Sequence, residues 1–145
     1  MQNFMGYYPP DNQGNLYLPW GNGAVSFIDA LDVGRAAAVT LAESGHEGRA
    51  YTLTGPAAFG IEEAAATMSR ASGRKITYVD VPEPTAKSAM LGAGMPEWMT
   101  DAMMDLHAID KAGYAAAVTA DVAELTGRPG RSFEEFVAEN AASRK

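Results

Sequence analysis

Cysteine is absent from the 145 residues, which excludes disulfide staples, thiolate metal sites and thiol nucleophiles and fits a reducing cytoplasm. Positive charge is scarce as well: 11 Lys and Arg stand against 18 Asp and Glu, a net charge of -7, with no basic run. The attraction that draws proteins to nucleic-acid phosphates or anionic lipid is missing, so neither a nucleic acid nor a membrane is an expected partner. No apolar stretch approaches the roughly 18 residues that a spanning helix needs, and the opening MQNFMGYYPP lacks a positive stretch before an apolar run. A soluble, unexported chain is the expectation. Histidine is limited to two, in no paired metal spacing and no HExxH, and no GxSxG elbow occurs. What is present is 47% hydrophobic residues in a chain the size of one domain, long enough to build a core.

Residues 1–23 differ from the rest, because Tyr7, Tyr8, Tyr17 and Trp20 are interleaved with Pro9, Pro10, Pro19, Gly14, Gly21 and Gly23. That density of Pro and Gly breaks both helical and strand periodicity and predicts a long loop. Its rings are too many for a solvated linker and are expected to pack on a surface, this domain's own or a partner's. Ala24 to Ile28 and Tyr51 to Thr54 read as strands, and so does Ile76 to Val81, which stops at Pro82. Between them, Asp29 or Asp32 caps a helix with Val33, Ala36, Ala37, Thr40 and Leu41 on one face, and a second helix runs from Ile61 to Ser72 with Gly73 after its last turn. Strand, helix, strand, helix, strand over residues 24–82 predicts α/β packing around a small, partly parallel sheet of about three strands.

Residues 83–145 are expected to be helical, making about six helices in one domain. A short helix spans Thr85 to Leu91. The next, Pro96 to Ala112, is expected to bury Trp98, Met99, Ala102, Met103, Leu106 and Ile109. Thr119 is a candidate cap for a brief helix through Leu125. Ser132 with Glu135 forms a capping box ahead of Phe133, Phe136, Val137 and Ala141.

Chemistry is thin. Phosphate cradles need glycines between a strand and a helix start, whereas Gly21-x-Gly23 precedes a strand and Gly92-x-Gly94 follows a helix. Both read as turns or caps. His46 and His107 read as surface or boundary residues. Asp29 and Asp32 fit either a ligand at the sheet's carboxyl end or helix capping, with capping preferred. Met90, Met95, Met99, Met103 and Met104 with Trp98 fit either an adaptable apolar pocket or plain core, with plain core preferred at this helical spacing. No catalytic residue and no metal ligand is assigned.

The order of segments carries more. Gln2-Asn3-Phe4, Phe27-Ile28-Asp29-x-x-Asp32, Tyr51-x-Leu53-Thr54-Gly55-Pro56, Gly73-Arg74-x-Ile76-x-Tyr78-x-x-Val81-Pro82, Gly94-x-Pro96-Glu97-Trp98, and Thr126-Gly127-Arg128-Pro129 through Ser132-Phe133-Glu134-Glu135-Phe136 together resemble the NmrA-like branch of the atypical short-chain dehydrogenase/reductases. The resemblance spans nearly the whole chain and is to the family's C-terminal half. It implies the C-terminal part of a Rossmann-type fold and an oxidoreductase that uses NAD(P)H. It also implies that the glycine-rich turn for the pyrophosphate lies in an N-terminal half not contained in these residues, so that this chain alone binds no dinucleotide.

By the same resemblance, Asn3 and Phe4 look like the residues beside the nicotinamide end of the cleft. Tyr7, Tyr8 and Trp20 look like the substrate-side wall, and Trp98 with Met99 like the segment covering the pocket. Asp29, Asp32, Tyr51 and Thr126-Gly127-Arg128 look like fold-keeping positions. Leu31 stands where the family commonly has a polar or basic residue, and Gly60 where it has a Ser/Thr cap, a change of only a few tenths of a kcal/mol. The expected function is the substrate-side half of a quinone- or dye-reductase-like enzyme, with a non-catalytic binding module or an assembly-only domain as alternatives. If Ala24 to Ile28 is an edge strand without its neighbour, a homo-oligomer or a separate chain supplying the N-terminal half is the expected partner, with an apolar small molecule as ligand.

Overall fold

The protein is described by a computed structural model covering residues 1–142. In chain order its elements are α1 (Asn3–Gly6), β1 (Asn15–Leu18), β2 (Ala24–Val25), α2 (Ala30–Ala42), β3 (Phe59–Gly60), α3 (Ile61–Ser72), β4 (Thr77–Asp80), α4 (Glu83–Gly92), α5 (Glu97–Lys111), α6 (Asp121–Thr126) and α7 (Phe133–Ala142). β1 pairs in parallel with β4, from Asn15 opposite Thr77 to Leu18 opposite Asp80. β2 and β3 form a two-residue antiparallel ladder. The fold is therefore mixed α/β, with two small ladders in place of the single three-stranded sheet expected.

Two expectations fail at the strands. The opening 23 residues are not one loop, for they hold α1 and β1. The Asp11 carboxylate accepts from the amides of Gln13 and Asn15, a side-chain turn that delivers the chain into β1. β1 then alternates, with Leu16 and Leu18 buried and Tyr17 exposed. Tyr51 to Thr54 joins no ladder. Its backbone is held instead by side chains: the Thr52 amide donates to Asp121, the Thr119 hydroxyl donates to the Thr52 carbonyl, and the Thr119 amide donates to the Thr54 hydroxyl. Thr119 is thus a clasp rather than the expected helix cap. Next to it, Gly55 passes so close to the preceding segment that a β-carbon there would stand 1.9 Å from the Phe27 carbonyl oxygen.

The helices follow their local signals more closely. α3 has the expected bounds, and Gly73 ends it in the left-handed conformation at φ 67. At α7 the capping box closes: the Ser132 amide donates to Glu135 Oε2 at 2.9 Å and the Glu135 amide to Ser132 Oγ at 3.2 Å. Asp29 caps α2 through the Leu31 amide. α2 buries only Asp32 and Ala36, so Val33, Ala37 and Leu41, expected to face the core, point outward.

Rings fill the centre. Phe4 meets Phe27 and Phe133, each at 5.0 Å between centroids, Phe59 meets Phe133 at 4.8 Å, and Trp20 stacks on Phe27 at 8°. Such pairs add about 0.5–1.5 kcal/mol each to the burial itself. One ionic knot ties this core to the chain's two ends. The wholly buried Asp29 accepts from Gln2 Nε2 at 2.7 Å and from Arg131 Nη1 at 3.0 Å, and Asp32 accepts from the Arg131 amide at 2.6 Å. Among the described residues, no helix is long and apolar enough to cross a membrane.

Candidate functional site

An apolar cleft of about 480 Å³ opens between the end of β1, the Tyr7-Tyr8 corner and the helices α4 and α5. α1 sets the corner: the Asn3 carbonyl accepts from the amides of both Tyr7 and Tyr8, at 2.9 and 2.7 Å, so the chain curls and both rings reach the cleft. Tyr17, Leu18 and Pro19 form one wall, and Ala86, Met90, Met95 and Met103 the other. Methionines in such a wall adapt to ligand shape and make favourable contacts with aromatic rings.

The floor behind the cleft is polar. α5 turns inward Thr100, His107 and Asp110, the reverse of the apolar face expected from its sequence. Met103, one turn before His107, reaches the cleft, while Trp98, Leu106 and Ile109 remain 44–69% exposed. The His107 ring is 1% exposed, with Nε2 3.3 Å from the Tyr8 hydroxyl and its centroid 5.7 Å from that of Trp20. Among the described residues, His107 Nδ1 and Trp20 Nε1 have no hydrogen-bond partner. Burial lowers the His107 pKa, which keeps the imidazole neutral at pH 7. Burial, helped by the Asp110 and Tyr7 charges, pushes the Tyr8 phenol up to about 12. Burial also lifts the Asp110 carboxyl to about 6.

Two backbone features hold this floor. Gly23 lies against the end of α5 so tightly that a β-carbon would stand 2.3 Å from the Asp110 carbonyl oxygen. The Tyr78 hydroxyl accepts from the Trp20 amide and contacts the Leu18 carbonyl and Asp80 Oδ1, while the Gly21 amide donates to the same Asp80 oxygen. The Leu18–Gly21 segment is therefore pinned to β4, and Trp20 is directed into the core.

The expected site residues divide accordingly. Tyr7 and Tyr8 line the cleft. Trp20 is 2% exposed and sits behind the wall, against His107 and Phe27. Trp98 and Met99 are not among the lining residues. Asn3 is exposed at the start of α1, and Phe4 belongs to the core and to the rim of a second, smaller pocket of about 190 Å³. Met90, Met95 and Met103 line the cleft rather than lying in plain core, although Met103 also packs against the core. His107 is legible only as a boundary histidine, since nothing in its local sequence signals that α5 turns its polar side inward.

Whether these residues fit a dinucleotide is decided at the helix starts, where a diphosphate needs bare amides and no negative charge. The first turns carry Asp32 in α2, Glu62 and Glu63 in α3, Glu83 in α4, Glu97 in α5, Asp121 and Glu124 in α6, and Glu134 and Glu135 in α7. The starts of α2 to α7 do not fit a diphosphate, which these carboxylates would repel, while α1, a single turn, carries no acid.

No known protein-family model matches the chain. It is 44% identical over 144 residues to an NAD(P)H azoreductase of Xenophilus azovorans, covering 99% of this chain and 50% of that protein. The NADPH complex of a quinone oxidoreductase from Escherichia coli superposes with a TM-score of 0.87 at 26% identity, over 96% of this chain and 50% of that one. The NADP(H) complex of a triphenylmethane reductase from Citrobacter sp. gives 0.78 at 26% identity, over 88% and 44%. The chain thus has the fold of a Rossmann-like quinone reductase and is homologous to NAD(P)H-dependent reductases, and it spans about half the length of the relatives it matches.

Proposed function

We propose that this chain is the substrate-side half of an NAD(P)H-dependent reductase of the NmrA-like kind, acting on flat, apolar, conjugated acceptors of the quinone, azo or dye class. The observation that carries the reading is the apolar cleft, lined by Tyr7, Tyr8 and Tyr17 together with Met90, Met95 and Met103, a lining suited to an aromatic, hydrophobic molecule. Its relatives reduce quinones, azo compounds and triphenylmethane dyes. Hydride chemistry belongs to the nicotinamide when it is bound. This chain's own part is to hold the acceptor and to exclude water from it. With acidic first turns and no cradle, the isolated chain binds no dinucleotide and is inactive, and Asn3 is the exposed residue left to meet the nicotinamide end of an assembled cleft.

The reading requires a complementary half. α2 offers it a seat: Leu31, Val33 and Leu41 are 40–87% exposed, with Ala30, Ala37 and Ala38 exposed beside them, an apolar face of the sort that marks an interface. The proposed occupant is a dinucleotide-binding α/β half, because the matched relatives are about twice as long and NAD(P)H-dependent.

Calorimetry on the purified chain tests the reading. Menadione is expected to bind, with NADPH giving no heat and no dye reduction occurring. Saturable NADPH binding by the isolated chain overturns the assignment of a half-site, and failure of every planar acceptor to bind overturns the cleft. Uptake of menadione without any reduction after a complementary half is supplied favours the second reading, a binding module without catalysis, which the acidic helix starts support.

A further inference from the structure

We infer that the Tyr8 hydroxyl, held by His107 Nε2, is the hydrogen-bond donor that selects carbonyl-bearing ligands over plain aromatic hydrocarbons in the cleft, with His107 as its positioning residue. The inference rests on the reading of the cleft as an acceptor site and narrows it to the quinone class, whose carbonyl oxygen the hydroxyl recognises.

Tyr8 carries the one buried polar side chain among the residues lining the cleft, for Tyr7, Tyr17 and Thr85 are exposed at its edge. An otherwise apolar slot gains specificity from a single placed polar group of this kind. A tyrosine hydroxyl has one hydrogen, and where it points depends on the histidine. If His107 carries its proton on Nδ1, then two ring N–H donors, His107 Nδ1 and Trp20 Nε1, lie buried without a partner, and the Tyr8 hydrogen is consumed by Nε2. If the proton is on Nε2, the indole N–H is the one ring N–H left unpaired, Nδ1 remains an unused acceptor, Nε2 donates to the Tyr8 oxygen across 3.3 Å, and the phenolic hydrogen waits for an acceptor that a ligand supplies. Orphaned buried N–H groups are rare because each forfeits its hydration, so the second arrangement, with one ring N–H fewer unpaired, is the one that a carbonyl accepting from the Tyr8 hydroxyl stabilises. It also fits the rest of the floor. Burial keeps His107 neutral, so one ring nitrogen donates and the other accepts. The high phenol pKa keeps Tyr8 protonated, a donor throughout the neutral range.

The test compares two probes of one ring system, menadione and methylnaphthalene, the second lacking both carbonyls. Their dissociation constants are measured by calorimetry on the full chain, and the readout is the ratio between them, which cancels general changes in the cleft. Tyr8→Phe is expected to shift that ratio about threefold to tenfold against menadione, the worth of one net hydrogen bond, with the methylnaphthalene affinity unchanged. His107→Leu is expected to shift it the same way. His107→Gln, whose side-chain amide restores an N–H near the Nε2 position, is expected to return it toward the original.

An unshifted ratio in Tyr8→Phe overturns the inference while leaving the cleft as an apolar site. If neither probe binds the unaltered chain, the cleft reading fails and this inference with it. Nitrogen-15 NMR of the unaltered chain tests the tautomer without any variant, and so holds even where a substitution fails to fold. His107 protonated on Nε2 supports the inference, and protonation on Nδ1 overturns it.

Discussion

Asp29→Ala is the most exacting perturbation of the scaffold. The carboxylate is wholly buried and holds three groups at once: the Leu31 amide at 3.0 Å, Gln2 Nε2 at 2.7 Å and Arg131 Nη1 at 3.0 Å. Loss of a helix cap alone costs about 1 kcal/mol. Loss of the charge leaves the guanidinium of Arg131, only 16% exposed, facing the vacated position but still paired with Glu139 and bonded to the Glu135 carbonyl, so the cost lies below the roughly 3–5 kcal/mol of a buried charge left with no partner. Both effects pass through one side chain and do not add, so about 2–3 kcal/mol is expected, a large share of the roughly 5–15 kcal/mol that holds a domain together. In thermal unfolding this appears as a fall of about 10 °C.

Asp29→Asn separates the contributions, since its amide oxygen still caps α2 while the charge is gone, and it is expected to fall between wild type and Asp29→Ala. The pH dependence has a fixed sign. Burial pushes the Asp29 pKa up, but the hydrogen bonds from Leu31, Gln2 and Arg131 outweigh it and hold the pKa below the ordinary value. Its stabilisation is therefore complete above about pH 4, the pKa of an unfolded aspartate, and is lost as pH falls through the lower folded value. Urea unfolding followed by circular dichroism measures all of this. A loss below about 1 kcal/mol for Asp29→Ala would refute the view that the knot fastens α2 to the start of α7.

Asp110 is expected to behave with the opposite slope. Its pKa is raised to about 6, so the folded state binds the extra proton, and stability declines as pH rises from about 4 to 6 by about 2–3 kcal/mol. Asp110→Asn should flatten that window and raise stability at pH 7, read in the same unfolding titration. Gly55→Ala forces a methyl onto the Phe27 carbonyl oxygen and is expected to destabilise by at least about 2 kcal/mol; an unchanged midpoint in urea would contradict the close approach. Tyr17→Ala removes an exposed ring from the cleft wall and should weaken menadione binding about threefold to tenfold without altering the melting temperature by more than about 2 °C. Leu41→Glu, at an 87% exposed position, is expected to leave unfolding within about 0.5 kcal/mol of wild type while abolishing capture of a dinucleotide-binding half in pull-down.

Elements announced by local chemistry are legible in the sequence. Gly73 and the Ser132–Glu135 box mark helix ends because they satisfy backbone groups within a few residues, and Thr77–Asp80 lies in a β-branched and aromatic run that Pro82 closes. β1 is hidden because its four residues are flanked by prolines and glycines, and because its partner is β4, far along the chain. Tyr51 to Thr54 has strand composition, yet the side chains of Asp121, Thr119 and Thr54 satisfy its backbone, which no periodicity encodes. The site suffers most from α5. Hydropathy alone turns Trp98, Leu106 and Ile109 inward, whereas tertiary packing seats Thr100, His107 and Asp110 there, so the methionine pocket is legible as one of two options and its polar floor is not.

The ladder that joins residue 15 to residue 77 also fixes when this wall can exist. During synthesis the Tyr7-Tyr8 corner and β1 leave the ribosome before β4, and that pairing waits until the segment through Asp80 has followed. A partnership so distant in sequence makes closure a late and comparatively slow event. Until it happens, Leu16 and Leu18, buried in the finished fold, stay open to other hydrophobic surfaces, the kind of transient exposure that favours aggregation.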